Sequence, residues 1–194
     1  SIKIRVIDSN GKFATIYGET IIPQSPIIEY IDYYKDIRKF LASKDSVVVD
    51  SVAVVTYKIS DKSGPNFYHI SITNKGTPFS PAIEYIDPIF HNSKYNIFKD
   101  TTFDGTSYYF TIEVRLHRFS DNFISATLHS ITSELFEYLI SMETAEKNED
   151  DIFSEPYHIF SNLSNGKGIF GSYSSTSMEI KIPVHDIYQY VKNY

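Results

Sequence analysis

Val47-Val48-Val49-Asp50-Ser51-Val52-Ala53-Val54-Val55-Thr56-Tyr57-Lys58-Ile59 is the stretch on which the fold turns. Side chains alternate across a strand, so Val52, Val54 and Thr56 share one face and Ala53, Val55 and Tyr57 share the other. Both faces are largely apolar, which predicts a central strand buried on both sides. Asp61-Lys62-Ser63-Gly64-Pro65-Asn66 then supplies turn chemistry. Phe67 to Thr73 reads as the returning partner strand.

Toward the N-terminus, residues 2–7 alternate apolar and polar with period two. Asn10-Gly11 is a hairpin turn signal, because both residues tolerate positive φ. Phe13 to Ile22 follows as a second strand. Pro23 and Pro26 interrupt the ladder and mark a linker. The expected organisation is a terminal hairpin over 1–22 and a β-sandwich domain over 27–194. The hairpin is either the end of a missing N-terminal β domain or an edge of the sandwich. A chain that opens directly on a strand predicts a longer protein whose leading portion is missing. Residues 27–34 suit a strand, whereas Tyr33, Ile37, Phe40 and Leu41 follow a helical spacing that predicts a short helix over 35–43.

Toward the C-terminus, Asn74 to Lys99 is punctuated by Gly76, Pro78, Pro81 and Pro88. It reads as a long loop with short elements near 83–86 and 95–98. Ser107 to Arg118 and Asn122 to Ile131 predict a hairpin turning at Ser120-Asp121-Asn122. Counting back from that turn puts His129 beside Glu113. Thr132 caps a helix over about 132–147, with Leu135, Leu139 and Met142 as its apolar stripe and Phe136 and Ile140 widening it. Ser177 to Val184 reads as the last strand, and Ile187, Tyr190, Val191 and Tyr194 predict a short terminal helix. The sum is a mainly β fold, an immunoglobulin- or fibronectin-like β-sandwich with one amphipathic α-helix.

The chemistry is sparse. The 194 residues carry a net charge of −6, and Lys and Arg are scattered, which argues against a nucleic-acid footprint. Cysteine is absent, so disulfides, thiolate metal sites and cysteine nucleophiles are excluded. No apolar run reaches the length of a membrane-spanning helix. No two of the six histidines have the i,i+4 helical spacing of a zincin, and no Gly-x-Ser-x-Gly elbow occurs. Asp100 and Asp104 read as turn formers, with calcium ligation as the alternative. No cofactor, metal or catalytic residue is expected.

Two features remain. The 16 Tyr and 14 Phe offer a stacking platform, either Tyr85, Phe90, Tyr95 and Phe98 in the long loop or Tyr30, Tyr33 and Tyr34. The segment Pro156 to Tyr173 carries Asn165, Gly166, Gly168, Phe170 and Gly171, and reads as a structural turn that drops large apolar groups into a core. It lacks the Gly-Lys-Ser/Thr ending of a phosphate loop.

Asp61, Phe67-Tyr68, Phe103-Asp104-Gly105, Tyr108-Tyr109-Phe110, Leu128-His129-Ser130-Ile131, Phe136-Glu137-Tyr138-Leu139 and Asn162 to Gly171 occur in a characteristic order. The chain resembles the Bacteroidota surface lipoproteins grouped as domain-of-unknown-function family 4249. Ser-Asn-x-x-x-Gly-x-Gly-x-Phe-Gly, from Ser161 to Gly171, is the most specific match. The likeness runs from about residue 14 to 183, with 34–46 resembling an insertion. It implies an outer-membrane, cell-surface, lipid-anchored protein. Its implied role is a non-enzymatic accessory that binds a ligand or partner beside a TonB-dependent β-barrel receptor. The alternative is a structural subunit of a larger outer-membrane complex, or an adhesin. Asp45-Ser46-Val47, Asp50-Ser51-Val52 and Asp100-Thr101-Thr102 resemble O-glycan acceptor sites of exported Bacteroidota proteins. Ser46 and Thr101 are the candidate acceptors, with Thr101 the one expected to be exposed.

Overall fold

The structure is a computed structural model. It describes residues 1–7, 10, 14–43, 46–75, 83–90, 93–116, 121–149 and 157–183, without the side chains of residues 39–43, 46–50, 75 and 149. The chain order is β1 (Ile2–Val6), β2 (Ile16–Thr20), β3 (Ile27–Ser43), β4 (Ser46–Ser60), β5 (Phe67–Lys75), β6 (Ile83–Glu84), a 3-10 turn (Pro88–Phe90), β7 (Ile97–Lys99), β8 (Ser107–Arg115), β9 (Asn122–Ile131), α1 (Ser133–Glu149) and β10 (Tyr173–Ile182). One sheet has the order β3-β4-β8-β6, the other β10-β9-β5-β7, and β1-β2 forms a separate ribbon. Every pairing is antiparallel. The fold is mainly β, consistent with a β-sandwich carrying one helix.

The core draws on both four-stranded sheets. Ala53, Val55, Tyr57, Ile59, Phe110, Ile112 and Val114 come from one, and Tyr68, Ile70, Ile72, Ile124, Ala126 and Leu128 from the other. β4 is central, as its two apolar faces require. Its opposite face buries Val52 and Val54, at 1% and 2% exposure. In the register these valines lie between Tyr34 and Asp36 on β3 and Glu113 and Arg115 on β8. Arg38 spans that face, pairing with Glu113 at 2.9 Å and also with Asp36. Its aliphatic stem belongs to an outer layer of long polar side chains over the valines.

Three expectations need correction. Residues 35–43 are strand. Ile37 pairs with Ser51 and Phe40 with Val48, so the ladder to the strongly β-prone β4 overrides a weak helical spacing. β5 is not the partner of β4, because the turn Asp61–Asn66 carries the chain from one sheet to the other. β8 and β9 are not a hairpin either. Asn122 is fully buried, and its Oδ1 accepts from Asn74 Nδ2 at 2.8 Å. Phe123 N donates to Asn74 Oδ1 at 3.1 Å. These bonds tie the start of β9 to β5 and satisfy a buried amide that would otherwise be costly. His129 therefore lies opposite His69, while Glu113 is in the other sheet opposite Val54.

The helix begins as expected. Leu135 N donates to Thr132 Oγ1 at 3.4 Å and Phe136 N to the Thr132 carbonyl at 2.9 Å. Phe136 packs on Phe67 with ring centroids 5.0 Å apart. With Ile97 and Ile131 they form a second apolar cluster on the outer face of the β10-β9-β5-β7 sheet. β10 starts earlier than its apolar pattern indicated. The expected terminal helix lies outside the described residues.

Candidate functional site

The segment 157–172 is stitched together by its own polar side chains. Asn162 brackets the backbone of Phe170: Phe170 N donates to Asn162 Oδ1 at 2.9 Å, and Asn162 Nδ2 donates to the Phe170 carbonyl at 3.1 Å. Ser161 Oγ accepts from Gly168 N at 3.2 Å. A closed loop results, and its bends explain the motif. Asn165 has φ 59° and Gly168 has φ 128°, a region that L side chains rarely adopt. Gly171 is needed for a different reason: a Cβ there would lie 2.9 Å from Leu135 Cβ on the helix.

This loop docks on the ribbon and the helix at once. Ser164 N donates to the Tyr17 carbonyl at 2.9 Å, and Asn165 Nδ2 donates to the Thr15 carbonyl at 3.0 Å. Phe160 N donates to Ser141 Oγ at 2.9 Å. Thr132 N donates to the Ser172 carbonyl at 3.2 Å. The same segment also builds a concave surface. A groove of about 600 Å³ is lined by Tyr138, Tyr157, His158, Ile159, Phe160, Leu163 and Lys167. Tyr157 and Ile159 are 47% and 41% exposed. An apolar, aromatic concavity with a few polar groups has the character of a binding site. Sequence reasoning singled out this stretch and missed its groove, because the partner surface comes from a helix turn some twenty residues earlier.

Two members of the aromatic platform expected in the long loop, Phe90 and Phe98, are not exposed. Phe90 and Phe98 are each 4% exposed and belong to the core. Tyr85 stands edge-on to Phe90 at 5.3 Å. Tyr95 packs beside the helix and donates to Glu146 Oε1 at 2.8 Å. The hydrophobic effect takes Phe90 and Phe98 inward, since burying each is worth about 1.5–3 kcal/mol. Of the alternative set, Tyr34 is exposed, and Tyr30 and Tyr33 pack against the core. Thr101 is exposed on its turn; Ser51 is buried; Ser46 opens β4, and its side chain lies outside the description.

Asp61, Asp100 and Asp104 place a carboxylate oxygen each within 4.8 Å of one another. Their partners are turn groups. Asp61 accepts from Gly105 N at 2.8 Å and from the Tyr68 hydroxyl, Asp104 from Gly64 N at 2.7 Å, and Asp100 from Asn66 N at 2.9 Å. Burial and the Asp61 bond push the Tyr68 phenol well above its ordinary range, so it stays protonated and donates. These bonds make the cluster the clasp between the 61–66 and 100–105 turns, as the turn-former reading of Asp100 and Asp104 expects.

His69 and His129 stack across β5 and β9 with ring centroids 5.0 Å apart and planes 15° from parallel. Burial lowers the proton affinity of both, and His129 lowers that of His69 further. The unfolded chain then binds more protons below the ordinary value of 6.5, so stability falls as pH drops through the mid-6 range. The urea midpoint should therefore decrease between pH 7.5 and 5.5. The decrease should be smaller in a His69→Asn/His129→Asn variant; an equal decrease would remove the pair as its source.

One family model matches residues 1–179, that of the domain of unknown function DUF4249. The chain belongs to the DUF4249 family. The match takes in the whole β1-β2 ribbon, including β1, which precedes the likeness beginning near residue 14. It also takes in the Ser161–Gly171 motif, the turn clasp and the groove of this DUF4249 domain. Comparison with curated proteins and with solved structures finds no match.

Proposed function

We propose that this DUF4249 chain is a non-enzymatic binding component at the surface of a Bacteroidota outer membrane. In this reading it is held by a lipid anchor upstream of Ser1 and serves as an accessory to a TonB-dependent β-barrel receptor. The observation that carries the proposal is the groove beside the glycine-rich loop. Its exposed Tyr157 and Ile159, with Tyr138 and Phe160, offer a ligand or partner segment apolar area and aromatic faces. No described helix is long and apolar enough to cross a membrane.

A second reading has its own support. Ile2, Val6, Ile7, Ile21 and Ile22 are all exposed along the ribbon and its exit. Exposed apolar residues of this kind suit a permanent interface in a larger outer-membrane assembly or an adhesin. Isolation of the native protein from outer membranes separates the readings. A Tyr157→Ser/Phe160→Ser variant should lose a co-purifying β-barrel receptor that an Ile21→Ser/Ile22→Ser variant retains. The reverse pattern favours the structural subunit. Recovery of the unmodified chain as a free monomer contradicts both.

A further inference from the structure

We propose that His69 and His129 form a two-imidazole chelating site for a borderline divalent cation of the zinc or nickel type. The two residues are direct cross-strand partners on β5 and β9. Such partners hold their Cβ atoms about 4.5–5.5 Å apart, fixed by the ladder rather than by flexible loops. The near-parallel rings, 5.0 Å apart, leave the sheet side by side. No described residue hydrogen-bonds either ring, so their nitrogen lone pairs are unclaimed.

Chelation asks for little movement. Zinc sits about 2.0–2.1 Å from an imidazole nitrogen, so two ligating nitrogens must come within roughly 3.3 Å of each other. The outer edges of the stacked rings reach that separation by swinging together about χ2, a torsion with a broad well in histidine. The pair is half-buried, and metal binds imidazole in its neutral form.

The surroundings suit an open site. Toward the helix lie Phe67 and Ile131, and the Tyr173 ring stands edge-on to His129 at 5.2 Å. On the other side the register places Ser71, Thr127 and Ser177, with Ser175 opposite His129. These hydroxyls can order the waters that fill the remaining coordination positions. The nearest charged register positions are Lys99, diagonal to His69 across Ile97, and Glu179, two rows along β10. Imidazole pairs without thiolates suit zinc, nickel or copper over calcium or magnesium.

The test is calorimetric titration of the untagged chain with Zn²⁺ and, separately, Ni²⁺ at pH 7.5. One saturable site is expected. His69→Asn or His129→Asn should weaken binding at least about tenfold, and the double variant should abolish it. Affinity should also fall steeply below pH 6.5 as protons compete. Paramagnetic Ni²⁺ added to the unmodified chain gives a readout independent of how the variants fold. It should broaden amide signals of β5 and β9 around residues 69 and 129 first. Absence of saturable binding, equal binding by the double variant, or broadening centred on His91, His117, His158 or His185 would each overturn the proposal.

Discussion

Replacing Phe110 by alanine is expected to remove about 3–5 kcal/mol of folding stability, a large share of the 5–15 kcal/mol typical of a domain. Phe110 sits on β8 at 1% exposure. Its ring stacks on Tyr57 of the same sheet at 5.6 Å and meets Phe90 edge-on at 5.5 Å. Phe90 in turn meets Phe98 of the opposite sheet at 5.4 Å. Truncation therefore opens a cavity at the aromatic joint between the sheets, where packed neighbours cannot collapse inward. Urea unfolding of Phe110→Ala beside Phe110→Leu measures it, with leucine recovering much of the loss. A cost below about 1 kcal/mol for alanine would mean that Phe110 does not sit between two facing sheets.

Gly18→Val should detach the ribbon from the glycine-rich loop, at a cost of about 1–3 kcal/mol for an overpacked site. A Cβ at Gly18 would meet Leu163 Cδ2 at 2.8 Å, Phe170 Cβ at 2.9 Å and Ile4 Cγ2 at 3.0 Å. Three neighbours on two different elements leave no single side chain that can move aside. Gly64 provides the comparison. It has φ +105° and nothing within 4 Å, so its substitution strains backbone without crowding. Amide exchange should rise sharply at Tyr17 and Ser164 in Gly18→Val and stay unchanged there in Gly64→Ala. Equal protection of those amides in both variants would contradict the docking of ribbon on loop.

Local pattern carried much of the architecture. The apolar faces of β4 and the Thr132 cap are properties of a few adjacent residues, and each appears as its side chains dictate. The helix forms where expected but buries Phe136, Ser141 and Glu143, and leaves Leu135, Leu139 and Met142 half-buried. Partner choice is not local. Ser120-Asp121-Asn122 has hairpin chemistry, yet the side chain of Asn122 is claimed by Asn74, forty-eight residues away, and β9 leaves β8 for the other sheet. Alternation says that a strand exists without saying which sheet holds it. The aromatic loop shows a second limit. A Phe among prolines looks available, but Phe90 and Phe98 complete the core from the sheet edge. The groove was illegible because Tyr138 and Tyr157 are brought together by the Ser141–Phe160 bond, which no spacing rule contains.

The most direct test of partner binding at the glycine-rich loop is photo-crosslinking in intact outer membranes. A crosslinking amino acid would replace Tyr157 in the groove or, as control, Ser177 on the exposed face of β10. The account predicts a covalent adduct with a β-barrel receptor from position 157 and none from position 177. Adducts from 177 alone, or none from 157 in membranes that hold the receptor, would contradict it.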